Sequence, residues 1–103
     1  MLQFNIKLPL TSQSEGTCII DDKMYNIEVA KLSNKCYIYC PGNHTSFCVD
    51  LQIHYPIFFP VEMNKLLENN NCICTDLMCF PEFRYLKDLS KFIKYINNYY
   101  SEI

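Results

Sequence analysis

The chain is poor in the residues on which most sequence-recognisable chemistry is built. It holds two glycines, Gly16 and Gly42, two histidines, His44 and His54, and one arginine, Arg84. Two isolated glycines cannot assemble a glycine-rich phosphate loop or a dinucleotide fingerprint, which need several within a few residues. No Ser-His-Asp spacing can be built around the two histidines. The lysines stand singly from Lys7 to Lys94 in a chain of net charge -2. A surface that tracks nucleic-acid phosphates needs clustered Lys and Arg, so nucleic acid is not an expected partner. No window approaches the roughly 20 apolar residues of a membrane span, so no membrane partner is expected. The segment after Met1 lacks a basic start and is broken by Pro9, unlike an export signal. The expected compartment is therefore reducing and intracellular, cytoplasmic or nuclear, and the seven cysteines are mostly free thiols. Their odd number agrees, since a full disulfide framework leaves one over.

What is present is a capacity for a core. Half of the 103 residues are hydrophobic and 19% are charged. That suits one domain, residues 1–103, with one modest core. Asn, Ile, Lys and Tyr are frequent, a composition that fits an AT-rich genome such as that of a virus or reduced parasite.

Alternation predicts strands over Leu2 to Leu8, Thr17 to Ile20, Met24 to Val29 and Cys36 to Cys40. Pro41-Gly42-Asn43 is among the strongest turn signals in the chain. Phe47, Val49, Leu51 and Ile53 then alternate with Cys48, Asp50, Gln52 and His54, which predicts a further strand ending at Tyr55-Pro56. Residues 1–54 are thus expected to form an antiparallel meander. Pro56 and Pro60 bracket an apolar flap. Val61 to Glu68 fits a short helix or an irregular segment, and Asn69-Asn70-Asn71 reads as a turn. From Glu82 the period changes: Leu86, Leu89, Phe92, Ile93, Ile96 and Tyr100 recur at helical steps, with Lys87, Asp88, Lys91, Lys94 and Asn97 opposite. The expected class is α+β, an antiparallel meander with a C-terminal amphipathic helix packed on one face.

The order of these features resembles the ubiquitin-conjugating fold, a group that includes the enzyme-variant (UEV) and RWD domains. The residues that carry the resemblance are Tyr55-Pro56-Ile57-Phe58-Phe59-Pro60, Asn71 to Leu77 with its Ile73-Cys74-Thr75-Asp76 core, Phe80-Pro81, and Leu89-Ser90-Lys91. Cys40-Pro41-Gly42-Asn43 sits where that family turns between its second and third strands. The resemblance spans residues 36–96. The departures are equally specific: a strand stands where members begin with a helix, the His-Pro-Asn motif is absent, the flap-to-cysteine segment is short, and the terminal helices are missing. The pattern looks like a trimmed relative.

Cys74 aligns with the family's catalytic cysteine. A nucleophilic thiolate needs a lowered pKa and donors for an oxyanion. No basic residue lies within five positions of Cys74, and Asp76 opposes ionisation. A buried or core-edge thiol is the expected state, and the chain is expected not to be an enzyme. Zinc ligation by Cys36, Cys40, His44 and Cys48, or by Cys72, Cys74 and Cys79, lacks the Cys-x-x-Cys knuckle, so no metal or other cofactor is expected. The resemblance and composition together imply a non-catalytic protein-binding module, a subunit or adaptor in a hetero-complex, of the ubiquitin pathway or of another multi-subunit assembly. The expected contact residues are Leu2, Phe4 and Ile6 on an open sheet edge, and Tyr95, Tyr99 and Tyr100 at the end of the last helix. Two alternatives remain beside it: a conjugating enzyme acting through Cys74, and a small disulfide-stapled viral or secreted factor.

Overall fold

The computed structural model describes residues 1–55 and 81–100, without the side chain of Gln52. The flap from Pro56 to Pro60, the segment Val61 to Glu68, the asparagine turn and Cys72 to Asp76 lie outside the described residues.

The N-terminal half forms four antiparallel strands in simple sequential order: β1 (Leu2–Asn5), β2 (Glu15–Ile20), β3 (Lys23–Leu32) and β4 (Lys35–Tyr39). Alternation does here what it should. Leu2, Phe4, Cys18, Ile20, Tyr25, Ile27, Val29, Cys36 and Ile38 all turn to one face and are buried, while Gln3, Asn5, Asn26 and Glu28 face out. The register places Phe4 opposite Cys18, Cys18 opposite Tyr25, and Val29 opposite Ile38, so the apolar rows are continuous across the sheet. Two-residue connections turn β2 into β3 and β3 into β4, with Asp21 (φ 56°) and Ser33 (φ 60°) in the left-handed region. Gly16 is required by contact rather than by dihedral. A Cβ there would lie 2.2 Å from the Asn5 carbonyl oxygen and 3.0 Å from Ile6 Cα.

β1 ends three residues before the Leu8 that alternation predicts. Ile6 and Leu8 continue as partly buried side chains packed on the core, outside the ladder.

The larger correction concerns Phe47 to His54. This segment is not a fifth strand but an 11-residue helix, α1 (His44–His54). The alternation of Phe47, Val49, Leu51 and Ile53 is genuine, but a helical row runs through the same residues: His44, Phe47, Cys48, Leu51 and Tyr55. That row is the one the fold buries. Phe47, Cys48 and Leu51 are in the core, while Ile53 is 65% exposed. Gly42 (φ 74°) supplies the turn out of β4, and the Phe47 N–H opens the helix on the Asn43 carbonyl at 3.0 Å. Tyr55 leaves helical geometry at φ -135° while its N–H still reaches the Leu51 carbonyl at 2.9 Å, as expected of a residue that precedes proline. Among the described residues the sheet ends with β4, and its apolar face needs a cover that a fifth strand beside it does not supply. That demand overrides the local β-propensity.

α2 (Leu86–Tyr100) forms where the helical period predicts it. Leu89, Phe92, Ile93 and Ile96 are fully buried against β1 and β4, each worth about 1.5–3 kcal/mol of burial. Two residues of its expected polar side are packed instead: Asp88 is buried and Asn97 is turned to β1. A bridge between Cys36 and Phe83 (N–H to carbonyl at 2.7 and 2.8 Å) ties the approach to α2 onto the β4 edge. The described residues therefore form an α+β domain, a four-stranded antiparallel sheet with one face closed by two helices.

Candidate functional site

The strands give the molecule two distinct ends. β3 runs ten residues, about 30 Å at ~3.3 Å per residue, from Lys23 at one end to Leu32 at the other. α2 runs back, from Leu86 near Leu32 to Tyr100 near Lys23.

At the Tyr100 end, Asp21 is a node. Its carboxylate accepts from the Met1 amino group at 2.6 Å and from the Tyr55 hydroxyl at 2.8 Å, and His54 Nδ1 lies 3.0 Å away. The amino group and Tyr55 together hold Asp21 below the usual carboxylate range, and burial followed by Asp21 pushes the Tyr55 phenol up. The Tyr55 ring meets Tyr100 edge-on at 5.0 Å, and Tyr100 meets Tyr99 at 4.9 Å. Chain start, hairpin tip and both helix C-termini are thus gathered by one carboxylate and one tyrosine. Around them stand exposed apolar side chains: Met1, Met24, Ile53 and Tyr99. Tyr99 is an expected contact residue at the surface; Tyr95 and Tyr100 are partly buried against the core.

The expected edge contact fares differently. Leu2 and Phe4 are 0% and 2% exposed and belong to the core, and Ile6 is half-buried. The outward backbone of Phe4 is also occupied: its N–H donates to Asn97 Oδ1 at 2.8 Å and its carbonyl accepts from Asn97 Nδ2 at 2.9 Å. Leu10 N–H donates to Ser90 Oγ at 2.9 Å. α2 thereby covers the edge on which a partner strand was expected to add.

Asp50, on α1, is a buried carboxylate, unlike the exposed Asp21. It accepts a short hydrogen bond from the Tyr25 hydroxyl and lies 3.4 Å from Lys23 Nζ. Burial and the Asp50 contact raise Tyr25 to about 12, and the Tyr25 bond holds Asp50 below its ordinary value against desolvation. This pair pins α1 to β3, with Phe47 edge-on to Tyr25 at 5.5 Å.

The four described cysteines, Cys18, Cys36, Cys40 and Cys48, are free and buried. Desolvation raises the thiols of Cys18, Cys36 and Cys40. The Cys36 thiol points to the Phe83 carbonyl at 3.2 Å. His44 Nδ1 accepts from the Cys40 N–H at 3.3 Å and Nε2 lies 3.5 Å from Cys48 Sγ, while the ring packs on Tyr39 at 4.8 Å. Burial lowers the His44 pKa, which favours the neutral imidazole. Among the described residues no three metal-ligating side chains converge. Cys72, Cys74 and Cys79 lie outside the described residues.

At the opposite end is a cavity of about 330 Å³, lined by Lys31, Ser33, Asn34 and Lys35 of the β3–β4 hairpin, by Cys36, and by Arg84, Tyr85 and Leu86. Sequence reading missed it, because its three cations lie up to 53 positions apart and are brought together in space, with the Cys36–Phe83 bridge carrying Arg84 to the hairpin.

These features define a small α+β domain with an aromatic end and a basic end. No family model, curated protein or solved structure matches the chain. No helix among the described residues is long and apolar enough to cross a membrane.

Proposed function

We propose that the chain is a non-catalytic protein-binding module that serves as a subunit or adaptor in a protein complex. The observation that carries this reading is the aromatic end. Met1, Met24, Ile53 and Tyr99 are 49%, 68%, 65% and 53% exposed. Each belongs to or adjoins a segment ending at a framework, Asp21 with Tyr55 and Tyr100, that holds four separate chain segments in place. Apolar and aromatic side chains on a pre-organised base, with ionisable groups between them, have the composition of a protein–protein contact. Burial holds the thiols of Cys18, Cys36 and Cys40 protonated, the reverse of what a nucleophilic cysteine needs, so none of these three offers a reaction.

Kinship with the ubiquitin-conjugating and RWD group, and with it an intracellular role in the ubiquitin pathway, belongs to the same proposal. A meander closed by a C-terminal helix supports it. The helix α1 ahead of Tyr55-Pro56, where the resemblance implies a strand, departs from it.

Photo-crosslinkers placed at Ile53 and Tyr99 test the reading in extracts of the native source. The expected result is the same crosslinked protein species from both positions, lost from the Ile53 probe when Tyr99 is exchanged for serine and from the Tyr99 probe when Ile53 is, in chains that keep their circular dichroism. A thioester adduct with ubiquitin that forms on Cys74 in the presence of activating enzyme and ATP, and that reductant releases, would establish the enzyme instead.

A further inference from the structure

We propose that the cavity at the β3–β4 tip recognises the carboxylates of an acidic segment of a protein partner. The inference rests on the protein-binding reading and names the chemistry of a second contact, at the end opposite the aromatic cluster.

Three of the chain's nine cations, Lys31, Lys35 and Arg84, line this one cavity, and among the described residues no acidic side chain shares its wall. Glu82 and Asp88, the acids nearest to Arg84 in sequence, are not part of the lining. None of the three cations forms an ion pair among the described residues, whereas Lys23 at the other end is paired with Asp50. In a chain of net charge -2, three cations with no ion pair among the described residues line one concavity and favour a local field of the opposite sign, offset in part by Asp88, whose carboxylate lies near enough to Cys36 to raise its thiol.

The shape of the site adds to its charge. Tyr85 is 52% exposed, with the Arg84 guanidinium 5.9 Å and the Lys87 ammonium 5.7 Å from its ring centre. These cation–π contacts orient Arg84 beside the cavity, and a guanidinium so held presents a planar fork matched to a carboxylate. Leu86 and Tyr85 offer apolar surface to the methylenes of a glutamate or to an interleaved apolar side chain. α2 starts at Leu86, so the positive end of its dipole lies at the same rim.

The volume, about 330 Å³, is near the lower end of the ~300–1,000 Å³ typical of ligand sites and suits a few side chains. A nucleic-acid strand is a poorer match, since phosphate tracking rests on about 6–10 contacts along a surface and this cavity offers three cations.

The test is fluorescence anisotropy of the full chain with a labelled short peptide of alternating glutamate and leucine, beside its glutamine counterpart. The glutamate peptide is expected to bind at least about tenfold more tightly, with the difference shrinking as salt rises. Lys35→Gln combined with Arg84→Gln should abolish the preference, while Lys94→Gln should preserve it. Circular dichroism of each variant checks the fold, and the single Arg84→Gln variant, at an exposed position, stands in if the double variant does not fold. Equal affinity for the two peptides, or a preference that survives loss of the cations, overturns the proposal. So does tighter binding of a single-stranded oligonucleotide, or displacement of the peptide by equimolar inorganic phosphate. Failure of the aromatic-end reading is seen separately, in the Ile53 and Tyr99 crosslinks, which these substitutions do not touch.

Discussion

The carboxamide of Asn97 occupies both outward backbone groups of Phe4, accepting from its N–H at 2.8 Å and donating to its carbonyl at 2.9 Å. One side chain thus reproduces the bonding of a neighbouring strand, 93 positions away in sequence, and closes the β1 edge from the last helix. Asn97→Ala removes both of these part-buried bonds. The expected loss is about 1–3 kcal/mol, read as a lower urea midpoint at an unchanged slope. An unchanged midpoint would show that water replaces the carboxamide at no cost.

Leu51 and Ile53 separate the helix from the strand that their alternation suggests. A strand places them on one face; α1 buries Leu51 and leaves Ile53 65% exposed. Leu51→Asp should therefore cost more than about 3 kcal/mol, and Ile53→Asp no more than about 0.5 kcal/mol. Equal, large losses for both would restore the strand.

Tyr25 and Asp50 predict a pH dependence at both limits. The Asp50 pKa is lowered in the fold, chiefly by the Tyr25 bond. Its contribution is present above the unfolded carboxylate value and is lost as pH falls through the lower folded one. Tyr25 is raised to about 12 by burial first and Asp50 second. Its contribution is present below the unfolded phenol value of about 10 and is lost as pH rises toward the folded one. Tyr25→Phe should flatten the alkaline limb, move acid unfolding to higher pH and cost about 1–3 kcal/mol near neutrality. Denaturant titrations across pH read all three effects.

Gly16→Ala places a methyl group within 2.2 Å of the Asn5 carbonyl oxygen. Backbone must move, and a loss of about 1–3 kcal/mol in thermal or urea unfolding is expected. Gly42→Ala meets no atom but must hold φ 74°, so its cost is the smaller backbone penalty of about 1 kcal/mol. The reverse order of the two variants would contradict the register of β1 on β2.

Cys18, Cys36, Cys40 and Cys48 should resist iodoacetamide at neutral pH in the native chain and react on unfolding. Peptide mapping by mass spectrometry measures each site. Rapid native labelling at Cys18, whose thiol burial raises most clearly, would contradict the packing of β2.

Alternation made β1 to β4 legible because one face of the sheet is apolar and the other is not; Tyr25, Ile27 and Val29 could be placed by period alone. The helical steps of Leu89, Phe92, Ile93 and Ile96 did the same for α2. α1 was not legible in this way. Its apolar residues satisfy both periods, and the decisive row, from His44 to Tyr55, mixes imidazole, thiol and aromatic groups that carry no clean hydropathy signal. Of the expected contact residues, Tyr99 lies on the surface, whereas Leu2 and Phe4 are core. An edge strand in sequence need not be an open edge in space.

The local sequence by itself determined the class of the fold, the hairpin turns and the amphipathic last helix, because each depends on side-chain period and turn chemistry within a few residues. Only the tertiary structure decided that residues 44–54 coil, that Asn97 seals β1, that Asp21 gathers Met1, His54 and Tyr55, and that Arg84 joins Lys31 and Lys35 around one cavity. Each of these depends on groups 20 or more positions apart, or on which face of the sheet needs covering. Such relations become energetically real only when the chain closes and water is removed from between them.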